Sequence, residues 1–307
     1  MEVIFLGTPQ FAVPALEGIV AAGHNVIAVY TQPDRPKGRG RETALSPVKE
    51  SAIRLGLTVK QPERVRRPEI VEEMRGLNAD VMVVVGYGQI IPQSIIDLPR
   101  LGILNVHASL LPKYRGAAPI QWAIANGETR TGVTIMQIDA GLDTGPMAIA
   151  EETAIGPEET APELSERLAA MGARLLVETL AKLPAVTVPQ DHSQASLAPI
   201  LRKEDGRIDW ELPAGGIANR LRGFTPWPGA FTTFRGETLK AIRARAAEEM
   251  VDATPGTLLP RKRQLLVACG GGTTLELLEV QMEGRKKISA EAFLNGFHPL
   301  DNEVIGR

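Results

Sequence analysis

The strongest constraint on the fold is the alternation of short apolar runs with amphipathic segments through the first half of the chain. The first apolar run covers residues 3–6 and ends in Gly7-Thr8-Pro9, and apolar residues then recur at helical spacing as far as Gly23. A second apolar run follows over 26–31. Two strands with a helix between them predict a βαβ unit, because parallel strands need a crossover connection and a helix usually provides it. The chain is therefore predicted to begin with a mostly parallel α/β sheet.

The same alternation continues to about residue 183. Residues 80–85 form an almost continuous β-branched run, which is typical of a strand covered on both faces. Helices are predicted over 47–55, 68–77, 91–97, 118–126 and 161–183, and strands over 57–60, 80–85, 102–106, 133–139 and 145–149.

The composition and the apolar periodicity of the chain change after residue 183. Residues 184–199 are polar and contain several prolines, which is typical of a linker. Beyond Asp209-Trp210, short apolar runs alternate with glycines and prolines, and this spacing predicts a small β-barrel. The predicted barrel strands are 230–234, 239–244, 256–260, 264–268 and 274–281. We therefore expect a domain boundary near 203–209.

Composition excludes several classes of protein. With a single cysteine, Cys269, the chain can form no intramolecular disulfide and no zinc site of several thiolates, so a reducing cytoplasm is expected. The apolar runs are too short to span a bilayer, and the N-terminus lacks the basic and long apolar regions of a signal peptide.

The charge of the chain gives only a weak indication of nucleic-acid binding. The net charge of −2 does not favour nucleic-acid binding by the chain as a whole, but basic residues are clustered in three places. The clusters are Arg35, Lys37, Arg39 and Arg41 in a glycine-rich stretch, then Arg261-Lys262-Arg263, and Arg285-Lys286-Lys287. A solvated surface is the ordinary interpretation of each, and a segregated basic face that contacts phosphates is the alternative.

The candidate chemistry lies in Asn105-Val-His107, at the end of a predicted strand. Residues two apart on a strand point to the same face, and ligands bind at the carboxyl ends of strands in open α/β sheets. Asp143 follows the next long strand in Gly141-Leu-Asp143-Thr-Gly145, so neighbouring strands can bring it close to His107. An amide, an imidazole and a carboxylate together can bind an oxyanion and move a proton.

Several other mechanisms lack their motifs. The loop after the first strand has no Gly-x-Gly-x-x-Gly pattern, and the Walker A pattern is also absent. Ser109 is not in a nucleophile elbow, and no second histidine stands at metal-ligand spacing from His107. The remaining chemistry is acid–base catalysis with oxyanion stabilisation and no covalent enzyme intermediate, which suits acyl or formyl transfer between two bound substrates.

The residues 105–112, Asn-Val-His-Ala-Ser-Leu-Leu-Pro, together with Asp143, resemble the site of the 10-formyltetrahydrofolate-dependent formyltransferases. Other stretches resemble the members of that family that act on methionyl-tRNA. They are Phe5-Leu-Gly-Thr-Pro9, residues 31–40, Arg115-Gly-Ala-Ala-Pro-Ile-Gln121, Gly132-Val-Thr-Ile-Met136 and Asp209-Trp210. The resemblance covers essentially the whole chain, is strongest over 1–150 and is thin after about 235.

The resemblance implies a Rossmann-like catalytic domain over 1–185, a linker over 186–204, and an OB-like barrel over 205–307 that binds tRNA. It implies direct formyl transfer, through a tetrahedral intermediate, from 10-formyltetrahydrofolate to the free α-amine of methionyl initiator tRNA for translation initiation. No metal is implied, and a cytoplasmic monomer is expected.

The resemblance also implies roles for individual residues. Asn105 would donate to the oxyanion, His107 would carry the proton, and Asp143 would orient His107. The expected folate-binding residues are Ser109, Leu110, Leu111, Pro112 and Gly88. Arg39 and Arg41 would contact the tRNA.

Other functions remain open as interpretations of the sequence. The same site resembles those of enzymes that formylate a glycinamide ribonucleotide or an amino sugar. A noncatalytic module that binds RNA or folate is a rival from another class, although it would be expected to have lost Asn105, His107 or Asp143. A dinucleotide-dependent oxidoreductase is a more distant alternative, because the glycine fingerprint is missing.

Overall fold

The chain forms two compact units, seen here in a computed structural model that describes residues 1–37 and 42–306. The first unit comprises Met1–Pro119, Arg130–Ala154 and Leu164–Pro199. The second comprises Ile120–Thr129, Ile155–Glu163 and Ile200–Arg307. Arg39 and Arg41, the expected tRNA contacts, lie outside the described residues.

The first unit is built on a seven-stranded sheet. The strands of this unit are β1 (Glu2–Gly7), β2 (Asn25–Tyr30), β3 (Arg35–Lys37), β4 (Glu42–Ala44), β5 (Val59–Lys60), β6 (Val81–Val85), β7 (Ile103–His107), β8 (Arg130–Gln137) and β9 (Met147–Ala154). Strands β3 and β4 form a separate antiparallel pair, and the other seven form the sheet. The strand order is β5-β2-β1-β6-β7-β8-β9, with parallel pairing from β5 to β7 and antiparallel pairing from β7 to β9. The predicted α/β fold with a mostly parallel sheet is confirmed.

The helices of this half of the chain follow the predicted periodicity to within a few residues. They are α1 (Val13–Ala21), α2 (Pro47–Arg54), α3 (Pro68–Gly76), α4 (Gln93–Ile96), α5 (Pro119–Ala125) and α6 (Ala161–Leu180). Local chemistry sets their starts: α2 begins with Pro47, and the Ser46 side chain accepts a hydrogen bond from the Lys49 amide. Gly172 lets α6 approach the sheet closely, because a Cβ there would lie 2.6 Å from Val106 Cγ1.

The order of the strands creates a crevice at one edge of the sheet. From β1 the chain moves outward to β2 and β5, and it then returns to the other side of β1 as β6. The carboxyl ends of β1 and β6 are therefore a topological switch point, where open α/β sheets bind their ligands. All five residues of β6 are buried, as expected for a strand covered on both faces.

The segment expected to be a linker contacts the first unit. Val188 pairs with Met147 of β9, and Leu197 forms a bridge with Arg115. Residues up to Pro199 belong to this unit. The boundaries 1–185, 186–204 and 205–307 stay a prediction.

The second unit contains an antiparallel sheet, as the spacing of apolar runs predicts. Its strands are β10 (Ala230–Phe234), β11 (Glu237–Ala247), β12 (Leu258–Pro260), β13 (Leu265–Ala268), β14 (Thr274–Met282) and β15 (Ile288–Ser289). They follow the order β10-β11-β14-β13-β12, with β15 beside β14. The closure of these strands into an OB-like barrel stays a prediction.

Two helices of the second unit, α7 (Ala214–Phe224) and α8 (Ala290–Phe297), are absent from the sequence-based expectation. The α7 sequence contains three glycines, which lower helix propensity. Burial of Ile217 and Leu221 against the core of this unit overrides that propensity. In the part of the chain that the structure describes, no helix is both long enough and apolar enough to cross a membrane.

Replacing Phe293 with alanine should lower the free energy of unfolding of the second unit by about 3–5 kcal/mol. The ring is fully buried and contacts Phe234 at 5.2 Å and Phe297 at 4.7 Å between ring centroids. Urea unfolding followed by tryptophan fluorescence measures this, since Trp122, Trp210 and Trp227 are the three tryptophans of the chain and all belong to this unit.

The matched control is Leu300→Ala, because the Leu300 side chain is 68% exposed. Its free energy of unfolding should stay within about 0.5 kcal/mol of the unsubstituted protein. Equal losses in the two variants would contradict the assignment of Phe293 to the core.

Candidate active site

The candidate site forms at the end of β7. Asn105 and His107 lie two residues apart on this strand, which places both side chains on one face of the sheet. Their neighbours are Val84 of β6 for Asn105 and Thr134 of β8 for His107. Both residues are buried, with 9% and 5% of their surface exposed, so their polar groups need partners within the protein.

The hydrogen bonds of His107 determine its tautomer. Its Nε2 lies 2.9 Å from the carbonyl oxygen of Tyr114, and a carbonyl oxygen can only accept a hydrogen bond. Nε2 therefore carries the proton, and Nδ1 of the neutral ring has a free lone pair. Nδ1 faces Asp143, at 3.6 Å from Oδ2, which is ion-pair distance and too long for a direct hydrogen bond.

Asp143 is held in place by backbone as well as side-chain groups. Its φ of 51° lies in the left-handed region, which a non-glycine residue rarely adopts. The Gly116 amide donates to Oδ2 at 2.8 Å, and Asn105 Nδ2 lies 3.4 Å from Oδ1. Gly145 is required nearby, because a Cβ there would lie 1.9 Å from the carbonyl oxygen of Gln137.

Asn105, His107 and Asp143, which the sequence predicts as a group, are thus brought together. One Asn105 N–H is directed at Asp143, and its amide has a second N–H to offer a substrate oxygen. His107 Nδ1 can accept a proton, and the Asp143 carboxylate stabilises the imidazolium that forms. The arrangement can stabilise a developing oxyanion and move one proton.

The loop 109–112 is held rigidly beside this cluster. The Ser109 carbonyl accepts from Thr134 Oγ1 at 2.7 Å, and the Leu111 amide donates to the same hydroxyl at 3.2 Å. Ser109 and Leu111 are buried, whereas Leu110 and Pro112 are half-buried. Of the four residues that this loop is expected to contribute to the folate pocket, Leu110 and Pro112 therefore present surface, and the other two shape the turn.

Gly88 lies on the loop that follows β6, at the switch point. Gly86 and Gly88 are exposed and have φ values of 57° and 84°, which glycine adopts without strain. The Tyr87 carbonyl between them accepts from Thr8 Oγ1 at 3.1 Å and from Gln32 Nε2 at 3.0 Å. This loop offers exposed backbone from a fixed position.

Three groups of the site have no counterpart in the sequence-based prediction. The Tyr114 carbonyl and the Gly116 amide contact His107 and Asp143 directly. Gln190, in the segment expected to be a linker, donates to the carbonyls of Asp143 and Gly145 at 2.9 and 2.7 Å. Backbone partners carry no side-chain signal, and Gln190 stands in a stretch without periodicity.

Other candidate chemistry is located elsewhere or is absent from the described chain. The Cys269 thiol belongs to the core of the second unit, and burial raises its pKa to about 12. Within residues 1–37 and 42–306, no group of three or more histidine, cysteine, aspartate or glutamate side chains is arranged to hold a metal ion.

The two basic clusters of the second unit are exposed and partly paired. Arg261 forms an ion pair with Glu249 at 3.0 Å, and Arg263 forms one with Glu291 at 3.4 Å. The Arg285 guanidinium lies 5.1 Å from the Phe297 ring centroid. The basic face of the sequence-based hypothesis stays a prediction.

Comparison with protein families gives matches along most of the chain. Residues 1–180 match the family described as formyl transferase, and residues 200–298 match the formyl transferase C-terminal domain. The chain is 63% identical to the methionyl-tRNA formyltransferase of Solibacter usitatus and 56% identical to that of Koribacter versatilis. Each alignment covers 100% of this chain and 99% of the relative.

Solved structures with a similar fold are more distant in sequence. An N-formyltransferase from Helicobacter canadensis, in complex with folinic acid and dTDP-3-aminofucose, is 18% identical, with a TM-score of 0.66 over 91% of this chain and 98% of that one. HypX from Aquifex aeolicus, in complex with tetrahydrofolic acid, is 16% identical, with a TM-score of 0.60 over 96% of this chain and 47% of that one. These two likenesses concern the fold alone.

The neutral form of His107 should carry its proton on Nε2, because Nε2 faces a carbonyl oxygen. Long-range proton–nitrogen spectra of protein with labelled histidine distinguish the two tautomers. The chain has four histidines, so the signal missing from a His107→Asn variant identifies the residue. A neutral ring protonated on Nδ1 would contradict this geometry.

Proposed function

The chain belongs to the formyl transferase family, and we propose that it transfers the formyl group of 10-formyltetrahydrofolate to the free α-amine of methionyl initiator tRNA, for translation initiation. The relatives that it matches over 99% of their length are named methionyl-tRNA formyltransferases. The observation in the structure that supports it best is the cluster of Asn105, His107 and Asp143 at the end of β7. The cluster contains no serine, cysteine, threonine or lysine, the common nucleophiles for acyl groups, which favours direct transfer through a tetrahedral intermediate.

The residues around the cluster fit the formyl donor. A planar heterocycle needs backbone donors and acceptors that are accessible and fixed, and the exposed glycines of the loop 86–88 provide such backbone. We propose that Gly88 and the loop Ser109-Leu110-Leu111-Pro112 form this pocket, with Leu110 and Pro112 as its apolar surface. The donor supplies a formyl carbon bound to a nitrogen that can leave.

Asn105 stabilises the charge that develops on the formyl oxygen. When the amine attacks, this oxygen becomes negative, and the second N–H of the Asn105 amide is available to donate to it. The donor is buried and held toward Asp143, so it needs little reorganisation during the reaction. One such donor is typically worth about 10²–10³ in rate.

His107 moves the proton. The attacking amine loses a proton as its new bond to carbon forms, and His107 Nδ1 is the ring atom that can accept it. The same nitrogen returns the proton to the nitrogen that departs from the carbon, so that charge and protons balance. Asp143 faces Nδ1 and favours the protonated ring during this exchange.

The contacts with tRNA, the acceptor of the formyl group, are inferred from the sequence. We propose that Arg39 and Arg41 contact the tRNA through its phosphates, and that the domain over 205–307 contributes further contacts. A catalytic domain over 1–185 and a linker over 186–204 complete this organisation. We also propose a cytoplasmic location, where aminoacylated tRNA is found, and a monomeric state.

Replacing His107 with alanine should lower kcat for formyl transfer by about 10²–10⁴, because the proton carrier is lost. Replacing Asn105 with alanine should lower it by about 10²–10³, because an oxyanion donor is lost. Steady-state assays with labelled formyl donor measure both effects on kcat.

The matched controls are His24→Ala and Asn25→Ala. These residues lie beside the amino end of β2, at the opposite edge of the parallel strands from the site. Both controls should keep the unsubstituted rate. An unchanged rate in the folded His107 variant would remove His107 from the mechanism.

The proposed acceptor is tested by giving the enzyme labelled formyl donor and one acceptor at a time. We expect rapid formylation of initiator methionyl-tRNA, slower formylation of elongator methionyl-tRNA, and none of a glycinamide ribonucleotide or a nucleotide-linked amino sugar. A preference for either small amine would overturn the proposed acceptor. Inert protein that still binds tRNA would support the noncatalytic alternative.

A further inference from the structure

The Gln190 side chain is buried between the candidate site and Arg115. It is 5% exposed, although its neighbours from 191 to 197 are exposed. Its Nε2 donates to the carbonyls of Asp143 and Gly145, at 2.9 and 2.7 Å. Its Oε1 accepts from Arg115 Nε at 3.1 Å and from Arg115 Nη2 at 2.6 Å. A single amide thus joins a guanidinium to the backbone of the loop that carries Asp143.

These four hydrogen bonds use the full capacity of the amide. A glutamine side chain has two N–H donors and two lone pairs on its oxygen, and all four are paired here. The orientation of the amide is also determined, because reversing it would direct N–H groups at the Arg115 guanidinium and oxygen at two carbonyl oxygens. A fully satisfied buried amide of this kind is rigid.

Arg115 is fixed to the same segment from the other side. Its amide donates to the Ser196 carbonyl at 2.9 Å, and its own carbonyl accepts from the Ala198 amide at 2.7 Å. The Tyr114 amide donates to Ser196 Oγ at 2.9 Å. Since the Tyr114 carbonyl accepts from His107, the segment 190–198 holds groups on both sides of the imidazole ring.

We propose that Gln190 is a positioning residue for formyl transfer, which holds the Asp143–Gly145 loop so that the Asp143 carboxylate faces His107 Nδ1. This inference rests on the proposed function. Asp143 occupies left-handed backbone, a conformation that persists only where the surroundings over-determine it, and the two bonds from Gln190 do so at residues 143 and 145. Gln190 itself acts through the loop and touches no reacting atom.

The decisive variant is Gln190→Glu. A carboxylate of the same length still accepts both bonds from Arg115, but it has no N–H for the carbonyls of Asp143 and Gly145. The anchoring of Arg115 is therefore kept while the hold on the loop is lost. We expect kcat for methionyl-tRNA formylation to fall about 10–100-fold, since a displacement of about 1 Å can cost 10²-fold, with KM for both substrates within about threefold.

The matched control is Gln194→Glu, the same change four residues along the segment. Gln194 is exposed, and its side-chain amide donates to Asp191 Oδ2 at 2.8 Å. It should keep the unsubstituted kcat and KM. A purely structural role of Gln190 would reduce the melting temperature and the amount of active enzyme, but not kcat per folded site. Dividing the steady-state rate by the concentration of active sites, which titration measures, gives kcat per folded site.

The kcat and KM of the Gln190→Glu variant decide whether Gln190 positions the loop. A fall in kcat per folded site at near-constant KM supports the proposal, whereas an unchanged kcat, or a change confined to KM, overturns it. If Gln190→Glu does not fold, Gln190→Asn decides by the same criteria, because it keeps a neutral amide that is too short to reach both sides. Unsubstituted protein that does not formylate methionyl-tRNA would refute the proposed function itself.

Discussion

The hydrogen bond from His107 Nε2 to the Tyr114 carbonyl determines the chemistry available to the rest of the site. Because a carbonyl oxygen never donates, this bond fixes one tautomer and leaves Nδ1 as the basic atom. Asp143 lies on the Nδ1 side and Asn105 lies next to Asp143. The Asp143 carboxylate and the Asn105 amide therefore both lie on the Nδ1 side of the His107 ring.

Three separate parts of the chain produce this arrangement. The end of β7 supplies Asn105 and His107, the loop 139–146 supplies Asp143, and the segment 190–198 fixes the backbone around both. Left-handed backbone at a non-glycine residue costs about 1–3 kcal/mol, so Asp143 needs external support. The Gly116 amide bonds its carboxylate and Gln190 bonds its carbonyl, and these contacts offset that cost.

How much of this could be predicted from the sequence depends on whether a residue follows a periodic pattern. The two-residue repeat of a strand places Asn105 and His107 on one face without a structure, and the buried run that becomes β6 is equally clear. Gln190 has no such signal, since its segment pairs with the sheet through isolated bridges and reads as a linker. The helix α7 also lacks a clear sequence signal. Its three glycines lower helix propensity, and tertiary packing stabilises the helix.

The neutral amide between Arg115 and the Asp143 loop has an electrostatic consequence. Arg115 is 7% exposed, and in the described chain it forms no ion pair; its side-chain partners are Gln190 Oε1 and His192 Nδ1. A guanidinium in direct contact with Asp143 would stabilise the carboxylate and compete with His107 for its charge. Here a neutral amide links the buried guanidinium to the loop, through hydrogen bonds to Arg115 on one side and to the carbonyls of Asp143 and Gly145 on the other. The negative charge of Asp143 faces His107 Nδ1, which is the atom that gains and loses the proton in the proposed mechanism.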